Sequence, residues 1–287
     1  MKSQPLDVLP PLAGIGLRAL HHRQVVQEWP DIAWLEVHSE NFFGPGGEPL
    51  KVLEAVRERY PISLHGVGMS LGSCDELSLR HMQKLKTLVA RIEPVAISEH
   101  LCWSSVNGRF LNELLPMPYT EEALALMCQR VDRLQQFLGR TIMVENVSSY
   151  IRFAGASMPE WEFLVEVSRR SGCQILLDIN NIHVSACNHG FLAQDYLQAI
   201  PPERVGEIHL AGYEQEQDLL VDSHSRPVHD EVWALYDQAL QRFGSKPTLI
   251  EWDNDIPPLA ALLAEAAKAD QRLAAHHALA KDCHALA

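Results

Sequence analysis

Eight short, apolar, β-prone runs recur along the chain, and a stretch with helical amphipathicity separates each from the next. The runs are 12–17 (LAGIGL), 33–38 (AWLEVH), 61–65 (PISLH), 94–98 (PVAIS), 141–146 (TIMVEN), 174–179 (QILLDI), 205–210 (VGEIHL) and 247–252 (PTLIEW). Helices are expected at about 19–29, 49–59, 76–91, 120–138, 159–171, 191–200, 228–243 and 257–280. Strands joined through helices pair in parallel, because a parallel neighbour needs a long crossover. Eight such units in 287 residues predict an α/β chain folded as a single (β/α)8 TIM barrel. One domain is expected over 1–287, with its core at about 12–265 and a last helix and tail at 266–287.

Local signals agree. Thr120-Glu121-Glu122 puts a capping hydroxyl and two acids at a helix start, where unsatisfied N–H groups need them. Gly139 and Gly244 fall just past two helix ends, where left-handed backbone is easiest for glycine. Pro61, Pro94 and Pro247 precede or open strands, where a missing N–H is tolerated. An open doubly wound sheet is the structural alternative. Gly14 and Gly16 begin a dinucleotide fingerprint, but Ala19 stands where its third glycine would be.

Charge and composition exclude several roles. With 37 acidic and 24 basic residues the formal charge is −13, which repels nucleic-acid phosphates. No 18-residue apolar run suggests a membrane span, and Met1–Pro11 lacks signal-peptide features, so a cytoplasmic protein is expected. Cys74, Cys102, Cys128, Cys173, Cys187 and Cys283 form no C-x-x-C pair and read as reduced, mostly buried thiols. The pairs His21-His22 and His276-His277 read as solvated.

In a barrel of this class, chemistry collects where the strands end. Here those ends read Glu36 and His38, His65, Glu99 and His100, Glu145 and Asn146, Asp178, His209 and Glu251. Glu36, His38 and Glu99 read equally well as ordinary hydrogen-bonding residues. Six separate strands, however, finish in His65, His100, Glu145, Asp178, His209 and Glu251, each after an apolar run. Unpaired buried charges cost several kcal/mol, and no Lys or Arg stands at those positions to balance the acids. Bound cations are the simplest counter-charge. Asn181 and His183, expected on a loop after the sixth strand, and Asp222-Ser-His224, expected to be extended, add further ligands. Imidazole and carboxylate without thiolate suit iron, manganese or catalytic zinc. So many donors suit two or three ions, with Glu145, midway in the order, as the natural bridge.

The strings LHGVGMSLG (64–72), ISEHLCW (97–103), VENVSSY (144–150), LLDINNIHV (176–184), NHGF (188–191), EIHLAGY (207–213), VDSHSRPV (221–228) and LIEWD (249–253) resemble the MbnB/TglH-like family. The likeness covers roughly 12–265. It implies a xylose-isomerase-like TIM barrel that uses two or three irons and dioxygen to oxidise cysteines of a ribosomally made precursor peptide. His65, His100 and Glu145 would hold one iron. Glu145 would bridge to a second, held by Asp178, His209 and Glu251, and Asn181, His183, Asp222 and His224 would form a more variable third site, in which His189 could replace one member. The resemblance also implies a separate leader-binding partner in a heterodimer. Two other classes remain open on the residues themselves: a metal-dependent sugar isomerase or endonuclease-like hydrolase on the same barrel, and a non-catalytic metal-binding protein.

Overall fold

A computed structural model describes residues 8–285. In chain order its first half comprises β1 (Ala13–Gly16), α1 (His22–Glu28), β2 (Leu35–His38), α2 (Glu48–Arg57), β3 (Ile62–Gly66), α3 (Leu79–Ile92), β4 (Ala96–His100), β5 (Trp103–Val106), β6 (Arg109–Leu115) and α4 (Glu121–Leu138). The second half comprises β7 (Met143–Glu145), α5 (Glu160–Ser171), β8 (Gln174–Asp178), α6 (Ile179–His189), α7 (Ala193–Ala199), β9 (Val205–Leu210), β10 (Glu214–Glu216), β11 (Leu219–Val221), α8 (Asp230–Phe243), β12 (Thr248–Ile250) and α9 (Leu259–Ala285). Strands β1, β2, β3, β4, β7, β8, β9 and β12 close a parallel barrel, which removes the open-sheet alternative. All eight anticipated strands are among them. The register His38↔His65↔Ser98 and His100↔Glu145 stacks the polar strand ends at one level.

Alternation along each strand divides the side chains between two layers. In β3, Ile62 and Leu64 join the apolar layer beneath the helices, together with Leu53, Leu85, Leu124, Phe163 and Tyr236. Each such fully buried side chain contributes about 1.5–3 kcal/mol. Ser63 and His65 face the lumen instead, where Ser63 Oγ donates to Glu36 Oε2 at 2.9 Å. The helices start and stop as their ends predict. Thr120 Oγ accepts from the Ala123 N–H at 3.2 Å, and Gly139 and Gly244 follow α4 and α8 with φ of 75° and 73°.

Three local expectations, at 179–189, at Asp222–His224 and at His21, are corrected. Residues 179–189 are not a loop but α6, because the Asp178 side chain caps it by accepting from Asn181 N–H at 2.6 Å and Gly190 ends it at φ 70°. Two antiparallel hairpins, β5–β6 and β10–β11, rise from loops at the strand ends. The segment around Asp222–His224 is turned rather than extended, with His224 at φ 46°. Cys102, Cys128 and Cys173 are buried as expected, while Cys74 and Cys187 are exposed. The side chain of Cys283 and residues 1–7 lie outside what is described. His21 is buried, not solvated, and its Nε2 donates to Pro257 O at 2.8 Å. Among the described residues no helix is long and apolar enough to cross a membrane.

At the start of α5 the enclosed Glu160 carboxylate accepts from Tyr119 Oη at 2.6 Å and Tyr196 Oη at 2.8 Å. Burial pushes its pKa up to about 7, against the opposing pull of the two phenols. The folded state therefore holds this proton more tightly than the unfolded chain. The stability tied to it is complete below the unfolded value near 4.5 and is lost as pH rises through about 7. Between pH 5 and 8 the native chain is expected to lose about 2.5 kcal/mol more stability than Glu160→Gln. Denaturant unfolding of both proteins at the two pH values checks this, and parallel profiles would contradict it.

Candidate metal centre

His65 lies at the end of β3, His100 ends β4 and Glu145 ends β7, and all three side chains are buried. The Nδ1 of His100 lies 3.0 Å from Gly66 O, a carbonyl that can only accept, so this nitrogen carries the proton. His65 Nδ1 lies 2.7 Å from Ser98 Oγ, a hydroxyl that can donate or accept, so this contact orients the ring without deciding which nitrogen carries the proton. The His100 ring turns its Nε2 lone pair inward, and His65 turns its Nε2 toward the same point. The two Nε2 atoms are 3.3 Å apart, and each is 3.3 Å from Glu145 Oε2. Burial, and for His65 the neighbouring His100, lower both imidazole pKa values and keep the rings neutral. Two imidazole nitrogens and a carboxylate oxygen that has no hydrogen-bond donor meet at one point. A cation is what such an arrangement accommodates.

The second group shares Glu145. His209 Nδ1 lies 3.1 Å from Glu251 Oε2 and 3.7 Å from Glu145 Oε1. Asp178 completes the set: its Oδ1 is used in capping α6, while its Oδ2 is buried without a partner. The ligand atoms of Glu145, Asp178, His209 and Glu251 all lie within 4.8 Å of one another, as do those of His65, His100 and Glu145. Burial, and the like charges around them, raise Glu145 well above the usual carboxylate range and Asp178 to about 7. Glu251 is held well below that range despite burial, because His209 and His224 face it. The cluster thus demands positive charge, which protons supply in the absence of a metal and divalent ions would supply better. The donor set fits two ions sharing Glu145.

Beneath this layer, His209 Nε2 lies 3.2 Å from Glu207 Oε1 and 3.5 Å from Glu36 Oε1. A metal bound at Nδ1 leaves the Nε2–H to these carboxylates, the support that fixes the tautomer of metal-bound histidines. Sequence reasoning missed Glu207; its place two residues before His209, on the same face of β9, was the available signal.

Above the layer, a cavity of about 540 Å³ is lined by Asn181, Asp222 and His224 together with His38 and Asp253. Asp222 Oδ1 lies 2.7 Å from His224 Nε2 and accepts from Asn180 Nδ2 at 2.7 Å. His224 Nδ1 lies 3.3 Å from both Glu251 Oε2 and Asp253 Oδ2. Asn181 Oδ1 is buried and unpartnered. His183 is not brought to this cavity. On a helix, positions 181 and 183 lie about 200° apart, so both cannot face one side. The His183 ring instead lies 5.2 Å from that of Tyr213. His189 also faces elsewhere, with Nε2 3.0 Å from Ser149 Oγ.

The expected lack of a local arginine is corrected as well. Arg18 is buried, pairs with Asp253 through Nε at 3.0 Å, and reaches within 3.6 Å of Glu251 Oε1. It folds back over Gly16, where a Cβ would lie 2.8 Å from its Nη1. Gly14 is needed equally for packing, since a Cβ there would lie 2.4 Å from the Trp34 ring. These glycines serve close approach, not phosphate binding. Cys102 is buried, and burial pushes its thiol pKa up, which favours the protonated thiol.

The model of the RiPP precursor modification enzymes MbnB/TglH/ChrH matches residues 12–274. The chain belongs to this family. A UPF0276 protein of Acaryochloris marina is 52% identical over 264 residues, covering 92% of this chain and 95% of its own. A UPF0276 protein of Caulobacter vibrioides is 50% identical over 276 residues, covering 96% and 97%. Among solved structures, L-ribulose 3-epimerase superposes with a TM-score of 0.61 at 13% identity, over 94% of this chain and 96% of its own. Endonuclease IV from Thermus thermophilus gives 0.60 at 16%, over 93% and 98%. At these identities the structural likeness is one of fold alone.

Glu207→Leu removes the acceptor behind His209. It is expected to weaken divalent-metal binding about 10–100-fold. Competition against a chromophoric chelator measures this, and an unchanged affinity would show that Glu207 does not support His209.

Proposed function

We propose that this chain is an iron-dependent oxidase that uses dioxygen to modify cysteines of a ribosomally made precursor peptide, together with a partner protein that presents the peptide leader. The observation that carries the reading is the pair of donor groups sharing Glu145, in a chain of the RiPP-modifying family. His65, His100 and Glu145 would hold one iron, and Glu145, Asp178, His209 and Glu251 a second. Asn181, Asp222 and His224 stand ready for a more variable third. When bound, the irons would supply Lewis acidity toward a thiol and the electrons for dioxygen chemistry.

The protein's own residues supply the setting. Ser98 and Gly66 O fix the rings of His65 and His100, and Glu207 fixes His209. Arg18, held by Asp253, neutralises part of the acidic mouth. Phe110 and Leu111 of β6 and Tyr150 line the cavity entrance and are partly exposed, offering apolar surface to a peptide segment. Tyr150 Oη accepts from the Asp222 N–H at 2.8 Å, tying the two mouth loops together. A cytoplasmic setting suits the five free cysteines whose environment is described.

Anaerobic loading with Fe(II), followed by the partner, a cysteine-containing precursor and dioxygen, tests the reading. Mass spectrometry is expected to show a changed peptide mass confined to a cysteine. Asp178→Asn is expected to lower the rate by at least about 100-fold, through loss of the second iron. A precursor left unchanged by the loaded enzyme with its genuine partner would overturn the proposal.

A further inference from the structure

A second cluster of ligand-type side chains lies on the opposite face of β4. Successive strand residues point to opposite sides, so where His100 faces the lumen, Glu99 faces the helix layer. There it meets Glu40, from the turn after β2, and His81, from the first turn of α3. One ligand atom from each lies within 4.8 Å of the other two. His81 Nε2 is 3.2 Å from Glu40 Oε1.

One buried atom in this cluster, Glu99 Oε1, lacks a hydrogen-bond partner. Glu99 is only 2% exposed, and one of its carboxylate oxygens lies within 4.8 Å of the ligand atoms of the other two side chains. The backbone is shaped around them. A Cβ on Gly66 would lie 1.9 Å from Glu99 Oε1, and one on Gly68 3.1 Å from Glu40 Oε1. The N–H groups of Val67 and Gly68 donate to Glu40 Oε1 at 3.2 and 2.8 Å, fixing its orientation. No Lys or Arg pairs with either carboxylate among the described residues; His81 is the sole basic partner. Two carboxylates gathered in a buried site need a cation or a proton between them. Glu40 and His81 retain 22% and 14% side-chain exposure, which leaves a path for an ion and a water ligand.

We propose that Glu40, His81 and Glu99 form a separate mononuclear site for a divalent transition ion such as Zn²⁺ or Mn²⁺, back to back with His100 across β4. One imidazole and two carboxylates with room for water are the donor class these ions take. The ion joins the turn after β2, the loop after β3, α3 and β4. It thereby braces from outside the two strands that carry His65 and His100.

Crystals of the full chain soaked in Mn²⁺ or Zn²⁺ test this by anomalous scattering. A peak is expected between Glu40, His81 and Glu99, distinct from those in the lumen. In solution, Glu40→Gln and His81→Gln are each expected to bind one metal equivalent fewer than the wild-type chain and to retain the lumen ions. Melting in chelator shows whether each variant is folded. Peaks confined to the lumen at saturating metal, with equal metal content in wild type and folded variants, would overturn the site and assign Glu99 a bound proton instead. Because the lumen peaks are read in the same crystal, this outcome is independent of the proposed peptide chemistry.

Discussion

The structure turns on a shortage of positive charge inside the barrel. Glu36, Glu145, Asp178, Glu207 and Glu251 are all buried in or beside the lumen, and Arg18 is the one guanidinium that reaches them among the described residues. Carboxylates so enclosed either take protons or take cations. The geometry favours cations. The Nδ1–H of His100 is committed to Gly66 O, so its lone pair, not its proton, faces Glu145, and His65 Nε2 lies at the same 3.3 Å from that carboxylate. A proton could satisfy one of these atoms at a time; an ion satisfies all three together.

The barrel is what makes this crowding possible. Parallel register brings His65 to Ser98 and His100 to Glu145, so ligands distant in sequence arrive at one height. The outward-facing residues of the same strands bury an apolar layer under the helices, and that layer stabilises the polar lumen. Asp178 serves both the fold and the site: one oxygen starts α6 and the other remains free for a ligand.

Much of this was legible in the sequence, for definable reasons. Short apolar runs ending in His, Asp or Glu mark both a strand and a polar strand end, so the eight strands could be read directly, together with the residues from His65 to Glu251 that the barrel gathers. Elements without such a pattern were missed. The β5–β6 hairpin had a signal in Asn107-Gly108, whose φ values of 52° and 70° are those of a tight hairpin turn. Helix α6 was hidden because its cap, Asp178, is also the last residue of a strand and its first turn contains two asparagines. Reading that stretch as a loop is also what put His183 beside Asn181 at the mouth, whereas on α6 its ring lies against Tyr213. Arg18, Glu207 and the cluster at Glu99 depend on which face of an element a residue occupies and on what packs opposite, which one sequence does not reveal.

Sharing of Glu145 between two ions is the central claim, and counting ions tests it most directly. Native mass spectrometry of the chain after anaerobic Fe(II) loading, compared with Glu145→Gln treated identically, reads the number bound. The account predicts at least two irons on the wild type and loss of both when Glu145 changes. A variant that keeps the wild-type count, or a wild type that saturates with one iron, would contradict it.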